Sequence, residues 1–298
     1  MADEYLFDTG DFAYGTWRIL DEEIEPVAAD LVDRFEVCLE AGIRTLDTAE
    51  IYGDYRVEAE LGEAIKLRPD LREKMTIVTK AGIDVPSEEK SHASIPQYNA
   101  TGENLVKCAE KSLSLLQTEV IDLFLVHRPD WSTHPEDTAS GLQKLLDGGK
   151  VKNVGVSNYT IHQFETLDRI LGGKLVTNQV EFSPFHMDPI YDGTFDQCLQ
   201  KKVRPMAWSP LAKGRVFAEE DEDAIRLREC LKVLADKYEV TMDAVVYGWI
   251  LNHPAKPTVI LGTNKESRIR NGAAGGAIPF AREDWFAVWQ AAKGHSIP

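Results

Sequence analysis

The sequence holds no run of about 20 apolar residues, the length a membrane-crossing helix needs, so no segment is expected to span a bilayer. Cysteine is scarce: Cys38, Cys108, Cys198 and Cys230 lie far apart and form no C-x-x-C pair. Disulfide frameworks and thiolate metal sites use denser spacing, so these four read as thiols of a reducing cytoplasm, and no metal centre is expected. Cations are in the minority, with Lys+Arg 33 against Asp+Glu 49 and a net charge of −16. That balance argues against a nucleic-acid partner, which requires clustered cations, but a small anionic ligand needs only a few local ones. The first residues, MADEYLFDTGD, are acidic and lack the basic-then-apolar order of a secretory signal. Nor does G-x-G-x-x-G follow an early strand, and neither G-x-S-x-G nor H-E-x-x-H occurs. An open-sheet dinucleotide fold, an esterase elbow and a zinc hydrolase are all disfavoured.

What the 298 residues do contain is an alternation of short apolar runs with helical patterns. Strands are expected at Phe12–Thr16, Arg44–Thr48, Thr76–Lys80, Ile121–His127, Lys152–Val156, Leu175–Glu181, Val203–Trp208 and Thr258–Leu261. Between them apolar residues recur at helical spacing, as in Leu31, Phe35, Cys38 and Leu39, which stop at Gly42. Thr160 and Gln163 have the spacing of a capping box. Eight β/α units in series, with strands apolar on nearly every residue, imply parallel strands covered on both faces. The fold expected is α/β: a single-domain (β/α)8 TIM barrel over residues 1–298. Three long connections, 82–99, 183–193 and 209–223, each follow a strand, which puts long loops at the C-terminal face, where such barrels build their sites. The polar insertion 83–99 reads as a mobile lid over that face.

Polar residues end four of these strands or follow them closely: Asp47 and then Tyr52, Lys80, and His127. A charge at the end of an apolar strand is costly unless it is paired. Barrel closure would bring the four side chains to one mouth, pair Lys80 with Asp47, and set the ammonium beside the Tyr52 phenol. The expectation is a phenol lowered from about 10 that donates a proton to a carbonyl oxygen, with His127 polarising the same oxygen. No second histidine is placed to share a metal with His127; His134 lies in a polar loop.

At these residues the chain resembles the aldo-keto reductase superfamily. The segments that carry the resemblance include LDTAEIYGDYRVEAELGEAI at 46–65, IVTKAGI at 77–83, IDLFLVHRPD at 121–130, VGVSNYT at 154–160, QVEFSP at 179–184, WSPLAKGR at 208–215 and ILGTNKESRIRN at 260–271. They follow the family's order over nearly the whole chain. The resemblance implies an NADPH-dependent reduction of a small aldehyde or ketone, with NAD(H) as the second cofactor option, and the cysteine usage makes the cytoplasm the expected location. It gives Tyr52 the role of general acid, assisted by Asp47, Lys80 and His127.

For the cofactor, the resemblance implies that Ser157, Asn158 and Gln179 hold the nicotinamide carboxamide and that Trp208 stacks on the ring. Ser209, Pro210, Leu211, Lys213, Gly214 and Arg215 match the loop near the pyrophosphate. Gly262, Thr263, Asn264 and Arg268 match the adenosine 2′-phosphate region, and Asn271 lies near adenine. Gly262 stands where several members carry a lysine, with Lys265 close by to supply charge. Trp17 and Trp131 are the expected walls of the substrate pocket. The superfamily also includes nicotinamide-binding subunits of potassium channels with little turnover, an alternative function for such a chain. Nothing in the sequence specifies an oligomeric state.

Overall fold

Eight parallel strands close on themselves in chain order in the computed structural model, which describes residues 5–23, 25–218 and 221–297. They are β1 (Phe12–Gly15), β2 (Thr45–Asp47), β3 (Thr76–Ala81), β4 (Ile121–Val126), β5 (Val151–Ser157), β6 (Leu175–Glu181), β7 (Met206–Trp208) and β8 (Thr258–Leu261). β8 pairs with β1 to complete the barrel, so no edge is left exposed among these strands. The expected barrel is therefore the observed one. Residues 1–4 of the acidic N-terminus and positions 219–220 of the third long connection lie outside the described residues.

Strand ends shift where the backbone chemistry requires it. The seventh strand begins at Met206 rather than Val203, because Pro205 has no N–H to give a ladder. Its carbonyl still accepts from Thr258 at 2.9 Å. His127 falls one residue past β4, yet its N–H donates to the Ala81 carbonyl at 2.9 Å and continues the β3–β4 pairing.

The helices follow the apolar stripes. Helix α1 (Ala28–Glu40) turns its stripe inward and ends ahead of Gly42, whose φ of 80° suits glycine. Helices α2 (Val57–Leu67) and α3 (Gly102–Leu115) cover β2, β3 and β4. Helix α4 (Pro135–Asp147), not among those expected, starts with proline in its first turn. It lies so close to α3 that a Cβ on Gly141 would come within 2.4 Å of Gly102 Cα. In α5 (Ile161–Ile170) the capping box forms as expected, with Thr160 Oγ1 accepting from the Gln163 N–H and Gln163 Oε1 from the Thr160 N–H.

Inside the barrel, Ala13, Val78, Leu123, Leu125, Met206 and Ile260 pack together, and Phe7 from the N-terminal segment packs against them. Apolar contact thus fills the barrel below the strand ends. Two larger clusters lie between strands and helices. The polar residues at the C-terminal ends stand above this packed interior, facing the mouth.

The expected lid is tied down. Ile83–Asp84 and Gln97–Tyr98 form a short antiparallel pair, and Lys90 between them is buried. Its ammonium meets Glu50 and Asp84 at 2.8 Å each, and the Val85 N–H donates to Tyr55 at 2.8 Å. An ammonium that has left water for two carboxylates holds its segment in place.

Candidate active site

Alternation along β3 puts Val78 and Lys80 on the inner face together, the first in the apolar interior and the second one layer higher. Lys80 is 0% exposed. Its Nζ donates to Asp47 Oδ1 at 2.8 Å, to the Thr48 carbonyl at 2.8 Å and to the Tyr52 phenol oxygen at 3.2 Å. All three donors of the ammonium are used, so burial leaves none unsatisfied. Because the phenol oxygen accepts from Lys80, the Tyr52 O–H is left to donate elsewhere. The ring of His127 lies edge-on to that of Tyr52, centroids 6.1 Å apart.

The charge states follow from burial and these contacts. Burial works against the charge of Lys80, but Asp47 and Tyr52 outweigh it and hold the ammonium above its ordinary value. Burial, aided by the cations Lys80 and Arg128, drives His127 well below 6.5, so its imidazole is neutral near pH 7. The lowered Tyr52 phenol expected from sequence is corrected here. Burial pushes the phenol above 10; Lys80 pulls it back, and the carboxylate of Asp47 offsets part of that pull. An ammonium already paired with a carboxylate is a weaker acidifier than a free one.

Around this centre the residues expected at the nicotinamide form one network. Ser157, last in β5, sits in register with Gln179 of β6 and donates from Oγ to its carbonyl at 2.8 Å. Asn158 adopts a φ of 61° and donates to Ser157 Oγ at 2.8 Å and to the His127 carbonyl at 3.3 Å. It accepts the indole N–H of Trp208 at 3.0 Å, which fixes the plane of that ring. Gln179 Nε2 donates to Asp47 Oδ2 at 2.7 Å.

A cavity of about 920 Å³ opens over these groups. Trp17, Asp47, Tyr52, His127, Ser157, Asn158, Gln179 and Trp208 line one part of it. It continues along Ser209, Pro210, Leu211, Lys213 and Gly214 to Gly262, Thr263, Arg268 and Asn271. Four expected residues are not in its lining. Lys80 lies beneath it. Arg215 pairs with Asp221 and stacks on Phe185, its guanidinium carbon 4.1 Å from the ring centroid. Asn264 braces the rim, accepting from the Tyr14 hydroxyl at 3.3 Å and donating to the Arg18 carbonyl at 2.7 Å. Trp131 is 82% exposed and stands edge-on to Tyr98.

Sequence reasoning passed over Arg128, which also lines the cavity, with its guanidinium carbon 5.8 Å from the Trp208 ring centroid. Its one signal was its place directly after His127. The donor set fits a nicotinamide dinucleotide. A fixed aromatic plane adjoins amide groups at one end, cations and a hydroxyl stand at the other, and His127 Nδ1 is buried with no partner among the described residues. No group of three or more metal-ligating side chains occurs among the described residues, and no helix there is long and apolar enough to cross a membrane.

The aldo/keto reductase family matches residues 11–293. The chain is 41% identical to "Oxidoreductase YdhF" of Escherichia coli K12 over 288 residues, which is 96% of this chain and 95% of that protein. It is 38% identical to a "6-dehydroglucose reductase" of Agrobacterium fabrum over 284 residues, covering 95% and 94% of the two chains. Among solved structures, the thermostable aldo-keto reductase Tm1743, in complex with the inhibitor epalrestat, superposes with a TM-score of 0.78 at 25% identity over 95% of both chains.

Proposed function

This chain belongs to the aldo/keto reductase family of carbonyl-reducing, nicotinamide-dependent oxidoreductases, and we propose that Tyr52 is its general acid and NADPH its preferred reductant. The observation that carries this reading is the 3.2 Å contact from Lys80 Nζ to the Tyr52 oxygen, made by an ammonium held on Asp47. The contact occupies the phenol oxygen as acceptor and leaves its O–H to donate into the cavity.

When bound, the nicotinamide supplies a hydride to the carbonyl carbon. The protein supplies the proton. Tyr52 donates its O–H to the carbonyl oxygen as negative charge grows there, and the resulting phenolate is held by Lys80. Lys80 keeps its own proton, because Asp47 and Tyr52 stabilise the ammonium. His127, neutral beside Tyr52, is an uncharged partner for the same oxygen. Ser157, Asn158 and Gln179 would hold the carboxamide, with Trp208 as the adjoining aromatic face. Lys213 and the backbone of Ser209–Gly214 would hold the pyrophosphate, and Thr263 and Arg268 the 2′-phosphate, with Asn271 near the adenine. Cations on this cavity in a chain of net charge −16 support a phosphate-rich cofactor.

The test is a panel of aldehydes and ketones assayed with NADPH and NADH in parallel. Turnover with a higher kcat/KM for NADPH is expected. Faster reduction with NADH would overturn the cofactor preference. Tight NADPH binding with no turnover of any carbonyl would favour the regulatory-subunit reading instead.

A further inference from the structure

We propose that Arg128 selects the substrate: its guanidinium receives an oxyanion, foremost a carboxylate, borne by the carbonyl compound near its reacting carbon. The inference rests on the reading of Tyr52 as the acid of a carbonyl reductase.

Among the described residues no carboxylate pairs with Arg128, in a chain with 49 acidic residues. Arg34, Arg56, Arg68 and Arg204, by contrast, each hold a carboxylate within 3.0 Å. Arg128 is half-buried on the cavity wall, its guanidinium carbon over the Trp208 ring at 5.8 Å from the centroid. A cation partly removed from water with no counter-charge is costly to the free protein, and an anionic ligand offsets that cost.

The other cations at or beneath the cavity differ from Arg128 in exposure, pairing or position. Lys80 is locked on Asp47 beneath the cavity. Arg18 also lines the cavity but is exposed to water, its guanidinium carbon 5.5 Å from the Trp17 ring centroid; Lys213 belongs to the loop after Trp208, and Arg268 stands with Thr263 at the opposite end. Arg128 is next to His127 in the chain, and its charge is felt by both the His127 imidazole and the Tyr52 phenol. It is therefore at the reacting end. The nearby acid, Asp47, already has Lys80 on one oxygen and Gln179 on the other, so it does not compete for the guanidinium.

The chemistry of the group narrows the ligand. A planar guanidinium binds a carboxylate or phosphate through two parallel hydrogen bonds, and here it stays within cation–π range of the Trp208 indole. Trp17, Ile51 and Ile83 line the same cavity and provide apolar walls for the carbon skeleton between carbonyl and anion.

The experiment compares matched substrates. 4-Carboxybenzaldehyde is set against its methyl ester, and glyceraldehyde 3-phosphate against glyceraldehyde, with NADPH saturating. Wild type, Arg128→Met and Arg128→Lys are assayed, and NADPH affinity is followed separately by quenching of tryptophan fluorescence. For wild type the charged member of at least one pair is expected to have a kcat/KM at least ~10-fold higher, the scale of one charge-assisted pair. The pair with the larger ratio identifies the oxyanion. In Arg128→Met that ratio falls to about 1 through KM, and Arg128→Lys restores part of it. If wild type reduces the neutral members equally well, the proposal is overturned while the reductase reading stands. Weakened NADPH binding in Arg128→Met would assign the guanidinium to the cofactor and also overturn it. Turnover of none of the four aldehydes would remove the reductase reading, and this one with it.

Discussion

Gln179 donates from Nε2 to Oδ2 of Asp47 at 2.7 Å across a sequence separation of 132, while Oδ1 of the same carboxylate takes the Lys80 ammonium at 2.8 Å. The residue expected at the nicotinamide and the residues expected to move the proton are thus joined through one buried carboxylate. On the proposed reading cofactor and acid would share this support, so binding at Gln179 would be coupled to the placement of Lys80 and Tyr52.

That coupling makes Gln179→Leu informative. Asp47 Oδ2 would lose its donor inside the barrel, and an unsatisfied buried acceptor costs about 1–3 kcal/mol. Chemical denaturation should show a lower midpoint by that amount, together with weaker NADPH binding. Unchanged stability would mean that water replaces the amide and that the link to Asp47 carries little.

For Tyr52→Phe the expected outcome is a fall of at least ~100-fold in aldehyde reduction, the usual contribution of a general acid. NADPH affinity should change far less, because the phenyl ring is kept. The pH profile gives a second check. Since burial holds Tyr52 above 10, the acid form persists at all lower pH values, and the rate of reduction should decline only above 10. With His127 driven well below 6.5, no inflection is expected near 6.5. A limb there would show that the imidazole titrates in the functional range.

Glu58 is buried and accepts from Thr79 Oγ1 at 2.6 Å and from Ser112 Oγ at 2.9 Å, behind the strand that carries Lys80. Burial raises its carboxyl from 4.5 to about 7, so the folded state retains a proton that the unfolded chain has lost. The stabilisation is complete below about 4.5 and disappears as pH rises through 7, a contribution of about 3 kcal/mol. Glu58→Gln should therefore flatten stability between pH 5 and 8 relative to wild type. It should match or exceed wild type at pH 8, since both hydroxyl partners can turn to suit an amide. Parallel pH–stability curves for the two proteins would show that Glu58 does not titrate in this window.

A Cβ on Gly262 meets nothing within 4 Å, and its backbone requires no glycine. Gly262→Lys therefore fits sterically at the end of the cavity where Thr263 and Arg268 stand. NADPH should bind roughly 5-fold more tightly at low salt, about 1 kcal/mol for an exposed pair, with NADH little affected. Equal tightening of both cofactors would place the 2′-phosphate elsewhere.

Much of the architecture could be read along the chain because its signals are local. The stripe from Leu31 to Leu39, the stop at Gly42 and the Thr160–Gln163 box each depend on residues within a few turns, and each forms as expected. Eight such units in series left few topologies that cover both faces of every strand. The same pattern exposed Asp47, Lys80 and His127, because a polar side chain closing an apolar strand breaks a run that is otherwise apolar.

The sequence by itself determined which residues reach the mouth of the barrel, since parity along a strand and its position at the C-terminal end are properties of chain order. Tertiary structure alone decided what those residues experience there. Burial outweighs Lys80 at the Tyr52 phenol, Lys90 pins an insertion that reads as mobile, and Trp131 turns to solvent beside Tyr98 while Arg128 stays in the cavity. Desolvation and ion pairing are set by atoms that meet only after the barrel closes, tens of residues apart in the chain, and no local periodicity encodes them.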